Sequence, residues 1–439
     1  MNIKKDHKNN LLLKAGKICF SFGILILPGA FFYSSILLLL AFIISTLEST
    51  NILRDKWNLP LIICSILMII VCTISNFIPS IYLDFKSDNN LNWIGLLNWI
   101  PMFWVYWCAQ YYLKTSDERI KCASYLVLGT IPILISGFCQ YYLNWYGPFK
   151  FFNDTIIWYQ REIQYQVFTG PFNNPNYAGT WLASIFPFSF FFFLKKAKLN
   201  FKKIFFCFTS LAFCLAIVLT HSRNAITNLS IAFTLLIGLS IKTIFFIYFI
   251  FLGFISTIFI LEIPISSINF LNKNEIISSF LPNSNNFNDI FSLPRIKIWK
   301  TAISNIISNP FIGWGASSFS LLYSLKNLNQ GYTYAHSHNL ILEMANNYGV
   351  LTCLILFSTI FLLVYKTRPS LSNKEIYSKN DTLINKFWWV SALIILLMHL
   401  TDITYYDGRI SLLFWILIAG LRCILREKNN ELSNRNLSS

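Results

Sequence analysis

The chain has 439 residues, 55% of them hydrophobic and 12% charged, with 42 Phe, 21 Tyr and 13 Trp. So little charge over so long a chain excludes an ordinary soluble enzyme and defines a polytopic membrane protein. The net charge of +16 would point to nucleic acid in a soluble chain, but here the basic residues follow the membrane spans, and no nucleic-acid partner is expected.

In chain order, Lys4, Lys5, Lys8, Lys14 and Lys17 precede an apolar stretch from Ile18 to about Ser49. It has no A-x-A cleavage site and is read as a retained anchor. It is too long for one comfortable helix and contains Pro28-Gly29, so two helices are expected. A single span would place Arg54 and Lys56 across the membrane from the basic N-terminus. Further runs able to cross a core of about 30 Å lie near 60–78, 94–113, 122–143, 177–194, 204–220, 225–241, 243–262, 338–364, 387–404 and 410–424.

The expected fold is therefore all-α, a single integral-membrane domain over 1–439 with about twelve transmembrane helices and both termini cytoplasmic. Lys114, Arg119, Lys121, the run KKAKLNFKK (195–203), Lys242, the segment 366–386 and the tail 425–439 then all fall inside. The outer side holds two long loops, 144–176 and 263–337. In the second, LPRIKIWKTAISNIISNP (293–310) places Trp299, Ile303, Ile306 and Ile307 at helical spacing, with Pro294 in the first turn and Asn309-Pro310 as a stop. That predicts an amphipathic interfacial helix near 294–308. The ten cysteines lie in or beside apolar runs with no metal or disulfide spacing, and read as small helix fillers.

Ionisable residues on the outer side need a reason, because an arginine at mid-helix costs about 2.5–3.5 kcal/mol on insertion scales. The outer arginines are Arg161, Arg223, Arg295 and Arg409. Arg223, in the short turn THSRNA (220–225), is either an interfacial anchor or a guanidinium facing phosphate oxygens. Arg295 opens the interfacial helix, where free N–H groups and the helix dipole favour an anion; otherwise it is a solvated face residue.

His338 opens the next membrane helix, where a neutral imidazole can cap the helix or accept a proton as a general base. His336 lies two residues away with no third ligand at matching spacing, so no metal site is expected. GPFNNPNYAG (170–179) and NPFIGWGASSF (309–319) combine turn chemistry with polar groups able to meet a ligand. His399, Asp402 and Asp407 near the end of the penultimate span are functional candidates by default, against a structural His399–Asp402 contact at helical spacing.

His338-Asn339, nine residues, then Gly349-Val-Leu-Thr352 resembles the H-[NSQ]-x9-G-x-x-[GTY] signature of the lipopolysaccharide O-antigen ligase and polymerase family. SRNA (222–225), RIKIW (295–299), NPFIGWGASSF and GPFNNPNYAG follow the family's order, over roughly residues 160–360. The resemblance implies a membrane glycosyltransferase, inverting and metal-independent, on the outer face of the bacterial inner membrane. It would move a glycan from an undecaprenyl-diphosphate carrier to a hydroxyl of a glycan, the lipid A core or another acceptor, among membrane lipids and with no cofactor. Carried over, Arg223 and Arg295 would hold the diphosphate and His338 would orient or deprotonate the acceptor. Asn339, His336, Tyr334, Asn174, Asn176 and Ser222 are the polar neighbours expected to line the substrate. Polymerase, ligase and protein-glycosylating activities stay open, as does a membrane transporter, which would show broken helices with midplane polar groups.

Overall fold

The structure is a computed structural model, and it describes residues 2–48, 55–77, 89–151, 153–163, 166–195, 201–238, 294–326, 334–369 and 380–438. The long N-terminal apolar stretch is divided as its Pro28-Gly29 requires: α1 (Asn2–Ile26) and α2 (Phe31–Glu48) meet at a tight turn and fold back on each other. The buried Ser34 hydroxyl donates to the Gly23 carbonyl at 2.8 Å, one of the polar ties between them. Next come α3 (Leu59–Phe77), α4 (Asn89–Leu96), α5 (Ile100–Ala109) and α6 (Ser116–Leu143). The run expected to span at 94–113 is thus two short helices. Pro101 in the first turn of α5 has no N–H with which to continue a helix from α4, so a new one starts there.

Helix α6 opens with a reciprocal capping box between Thr115 and Glu118 and ends at left-handed Asn144. Within the expected outer loop 144–176, Phe149–Phe151 (β1) and Ile156–Trp158 (β2) pair antiparallel, Phe149 opposite Trp158, a small departure from an all-helical chain. Then follow α7 (Pro175–Leu194), α8 (Phe201–Leu219) and α9 (Arg223–Ile237). Helix α9 stops at left-handed Gly238, which leaves it about 22 Å long, short of a full span. The expected span at 243–262, and the part of the large outer loop up to residue 293, lie outside the described residues.

The remaining elements are α10 (Pro294–Ser308), α11 (Ser318–Lys326), α12 (Leu340–Thr367), α13 (Asn380–Met398) and α14 (Gly408–Ser438). Among the described residues, seven helices are long and apolar enough to cross a membrane: α2, α6, α7, α8, α12, α13 and α14. The most enclosed is α14, packed against α5, α12 and α13. Buried tryptophans stitch the bundle by N–H donation into low-dielectric surroundings, where an unpaired donor is costly. Trp388 donates to the Leu417 carbonyl at 2.9 Å, Trp389 to Val364 at 2.8 Å and Trp181 to the Thr130 hydroxyl at 3.0 Å. Leu39, Ile66, Phe208, Leu211, Leu354 and Phe361 face outward, as side chains in contact with lipid do.

The two ends of the bundle differ chemically. At one end Asp55 takes Arg422 and Arg426 at 2.9 and 3.0 Å, buried Arg119 bonds Asn385 and Glu427, and Lys428 reaches the Thr367 carbonyl at the end of α12. At the other end lie the start of α12 and the connector between α13 and α14.

Helix α12 is interrupted at Gly349, whose backbone (φ 81°, ψ 161°) is one that glycine adopts readily. The turn after α10 fills the break. Val350 N–H donates to the Pro310 carbonyl at 2.7 Å, and Trp314 and Gly315 N–H donate to the carbonyls of Asn346 and Asn347 at 2.8 and 3.0 Å. A Cβ on Gly349 would lie 2.1 Å from the Phe311 carbonyl oxygen. Gly349→Ala should therefore displace the 310–313 turn, with a backbone cost alone of about 1–3 kcal/mol. A clear drop in the melting temperature of the detergent-solubilised protein is the expected readout, and an unchanged one would count against this packing.

Candidate active site

His338 sits in a short segment before α12, at φ 53° in the left-handed region. Three sets of bonds hold it there. Asn339 caps α12, its Oδ1 accepting the Ile341 and Leu342 N–H groups at 3.0 and 3.1 Å, while its Nδ2 donates to the Leu400 carbonyl at 2.8 Å. The Leu340 N–H donates to the His399 carbonyl at 2.9 Å. Buried Glu343, one turn into the helix, accepts the Ser337 N–H at 2.9 Å and the Asn347 amide at 3.3 Å.

With the chain so placed, His338 Nδ1 lies 2.8 Å from Asp402 Oδ1, an oxygen that also accepts the Ile403 N–H at 2.8 Å. A carboxylate only accepts, so the proton belongs on Nδ1 and the lone pair on Nε2. His338 is 25% exposed and Asp402 6%, so a largely enclosed carboxylate orients a reachable imidazole. Burial works to raise the Asp402 pKa, but the hydrogen bond and charge of His338, the Ile403 N–H and the charge of Arg295 together bring it below the ordinary carboxylate value. His336 lies beside the pair, its ring centroid 4.4 Å from that of His338. Burial, and secondarily His338, push its pKa down to about 4 against the opposing pull of Asp402. Tyr334 packs edge-on to His338 at 6.1 Å. One ligating atom from each of His336, His338 and Asp402 falls within 4.8 Å of the others, a geometry able to hold a metal ion.

Arg295, in the first turn of α10, is exposed and near enough to act electrostatically on Asp402. Its helix is held to α12 through a small second core of Ile298, Ala302, Phe319 and Tyr323, with Trp299, Tyr334 and Leu342 against it. The face expected to be apolar is split: Trp299 and Ile306 pack inward beside the buried Ile298 and Ala302, while Ile303 and Ile307, with Phe311 after them, stay exposed. Arg223 is the first residue of α9 and is also exposed. Ser222 caps that helix and donates to Asn176 Oδ1 at 2.8 Å, and the Asn224 amide donates to the Met398 carbonyl at 2.9 Å. Asn174 caps α7, its Oδ1 accepting the N–H groups of Asn176 and Tyr177. Asn174, Ser222 and Asn339 are thus all helix caps.

The four outer arginines now separate. Arg161 bonds the Asn173 carbonyl at 3.1 Å. Arg409 is paired with Asp407 at 2.9 Å and lies over the Phe172 ring. Arg223 and Arg295 have no hydrogen bond or ion pair among the described residues. Sequence spacing suggested a His399–Asp402 contact; instead Asp402 binds His338, while His399 sits 2.6 Å from the Ile395 carbonyl and 3.3 Å from the Thr404 hydroxyl. Glu343 was not singled out from sequence, although an acid inside an apolar run is itself a signal.

Fold and site together define a multi-pass helical membrane protein with a histidine–carboxylate pair, and an exposed arginine acting on its carboxylate, at one end of its bundle. Residues 208–357 match the family model described as O-Antigen ligase. The matched part includes Ser222, Arg223, Arg295, Tyr334, His336, His338 and Asn339. Asn174, Asn176 and Asp402 lie outside the match. No curated protein matches the chain.

The buried His399 gives a pH prediction. Burial holds its pKa down to about 4, against an ordinary 6.5. Between those values the unfolded chain binds a proton that the folded one refuses, so stability rises with pH across the window and falls on acidification from 6.5 toward 4. The melting temperature in detergent should drop from pH 7 to pH 5, and His399→Gln should reduce that drop. An equal drop in the variant would show that other groups carry it.

Proposed function

We propose that this protein is a glycosyltransferase of the ligase or polymerase type, moving a glycan from an undecaprenyl-diphosphate carrier to an acceptor hydroxyl at the outer face of the bacterial inner membrane. The observation that carries this reading is the His338–Asp402 pair at 2.8 Å, with Arg295 acting on the same carboxylate and Arg223 on a turn bonded to Met398 through Asn224. His338 Nε2 takes the proton of the acceptor hydroxyl as its oxygen attacks the anomeric carbon. The bond from that carbon to the diphosphate oxygen breaks, and the configuration inverts. Asp402 stabilises the imidazolium that forms.

Arg223 and Arg295, each at a helix N-terminus, meet the diphosphate and the charge that develops as it leaves. Planar guanidinium donors and helix dipoles act in the same direction there, so no metal ion is required for charge neutralisation. The exposed Ile303, Ile307 and Phe311 rest α10 on the lipid surface, where the carrier's polyprenyl chain lies. Acceptor choice falls to the segments around Asn176 and Tyr334.

Transfer from a labelled undecaprenyl-diphosphate glycan in detergent or liposomes tests this. His338→Ala should lower kcat by about 10²–10⁴, and Arg223→Ala or Arg295→Ala each by about 10²–10³. Asp402→Asn, which keeps the shape and removes the charge, should lower kcat more than it raises KM. Full transfer by the His338 and both arginine variants would refute the mechanism.

A further inference from the structure

We propose that His336, His338 and Asp402 form a site for a borderline divalent transition metal ion such as Zn2+, and that the bound ion inhibits transfer. The site is not one that sequence spacing reveals, since the third ligand lies 64 residues beyond His338. The three ligating atoms fall within 4.8 Å of one another, two of them 2.8 Å apart. Ligands held about 2.0–2.2 Å from a zinc ion lie roughly 3–3.5 Å from each other, so the cluster needs only a small adjustment to close on an ion.

The second observation is His336 itself. Its Nδ1 is buried and has no hydrogen-bond partner among the described residues, an uncommon state for a polar atom that is costly to leave unmet. The ring stands 4.4 Å from that of His338, and the Ser337 between them is tied to Glu343, so the two imidazoles are presented together. Two imidazoles and one carboxylate suit Zn2+, Ni2+, Co2+ or Cu2+ better than the hard ions Mg2+ and Ca2+. Three protein ligands leave a coordination position for water.

Inhibition follows from the proposed transfer mechanism, on which this half of the inference rests. The ion would take Asp402 away from the imidazole and hold His338 as a ligand, so the ring could no longer be oriented to accept the hydroxyl proton. The arginines already meet the diphosphate charge, so the ion supplies nothing the reaction lacks. Metal binding and proton acceptance are alternatives at one ring.

The test uses the full chain in detergent, freed of metal with a chelator. Zn2+ is titrated in competition with a chromophoric chelator, and Co2+ is followed by its visible absorption. One equivalent of Zn2+ should bind, His336→Ala should weaken it about 10–100-fold, and His336→Cys, which restores a soft ligand, should recover affinity. His221→Ala should leave Zn2+ affinity unchanged, which separates this site from loose binding to any histidine. Absence of stoichiometric binding, or equal affinity in His336→Ala, overturns the site whether or not the transfer reaction is as proposed. In the transfer assay, Zn2+ should inhibit at concentrations where Mg2+ does not, and a chelator should restore activity. Binding without inhibition, stimulation by Zn2+, or loss of activity on chelation overturns the inhibitory role.

Discussion

The site depends on one junction, the bonding of the first residues of α12 to the connector between α13 and α14. Asn339 serves both sides of it. Its side-chain oxygen satisfies two N–H groups that the helix start leaves open, and its amide reaches across to the Leu400 carbonyl. With the Leu340 N–H on the His399 carbonyl, this fixes the register of two segments sixty residues apart. The His338–Asp402 contact is a consequence of that register. At the edge of a membrane, where backbone groups find little water, such cross-segment bonds are also what permits irregular chain to exist.

Other polar elements converge on the same connector. The turn carrying Arg223 is bonded to Met398 through Asn224, and Asn176 joins that turn through Ser222. The helix carrying Arg295 is bound to α12 by the turn that fills the break at Gly349 and by the core around Ile298 and Phe319. A helix break deep in a membrane protein is tolerated only where neighbouring backbone re-satisfies its groups, and Pro310 through Gly315 do this. Gly349 in the signature is therefore a place where a loop enters a helix. Thr352, three residues on, faces α3, its carbonyl 3.7 Å from Cys64 Sγ.

Much of the architecture was legible in the sequence. Hydropathy located the seven described spans to within a few residues, with larger errors at the start of α6 and the ends of α13 and α14, and Pro28-Gly29 located the first turn, because lipid enforces helices and proline breaks them. The capping turn before α7 was legible in GPFNNPNYAG, where Asn174 caps by local geometry; at α12 the sequence offered His338 as the cap, whereas its neighbour Asn339 fills that role, and Ser222 caps α9. Where the reading differed, longer-range packing decided. The run 94–113 is apolar throughout, yet Pro101 and the docking of Tyr405 against Trp99 and Asn98 divide it. The stripe Trp299, Ile303, Ile306 and Ile307 has helical period, but packing against α11 and α12 buries Ile298 and Ala302, keeps Trp299 and Ile306 partly inward and leaves Ile303 and Ile307 exposed.

The outer arginines draw the same line. All four look alike in sequence, since each breaks the charge bias in the same way; only the fold gives Arg161 and Arg409 local partners and leaves Arg223 and Arg295 with no hydrogen bond or ion pair among the described residues. By itself the sequence determined the class of protein, the approximate spans, the capping turn before α7 and the identity of His338 as a candidate base. These are set by composition and by interactions within a few residues. Only the tertiary structure decided that Asp402 turns to His338 and not to His399, and that His336 completes a three-residue cluster. Those pairings join segments whose separation in sequence carries no periodic signal, and they exist because the bonds of Asn339 and Leu340 hold the two segments in one register.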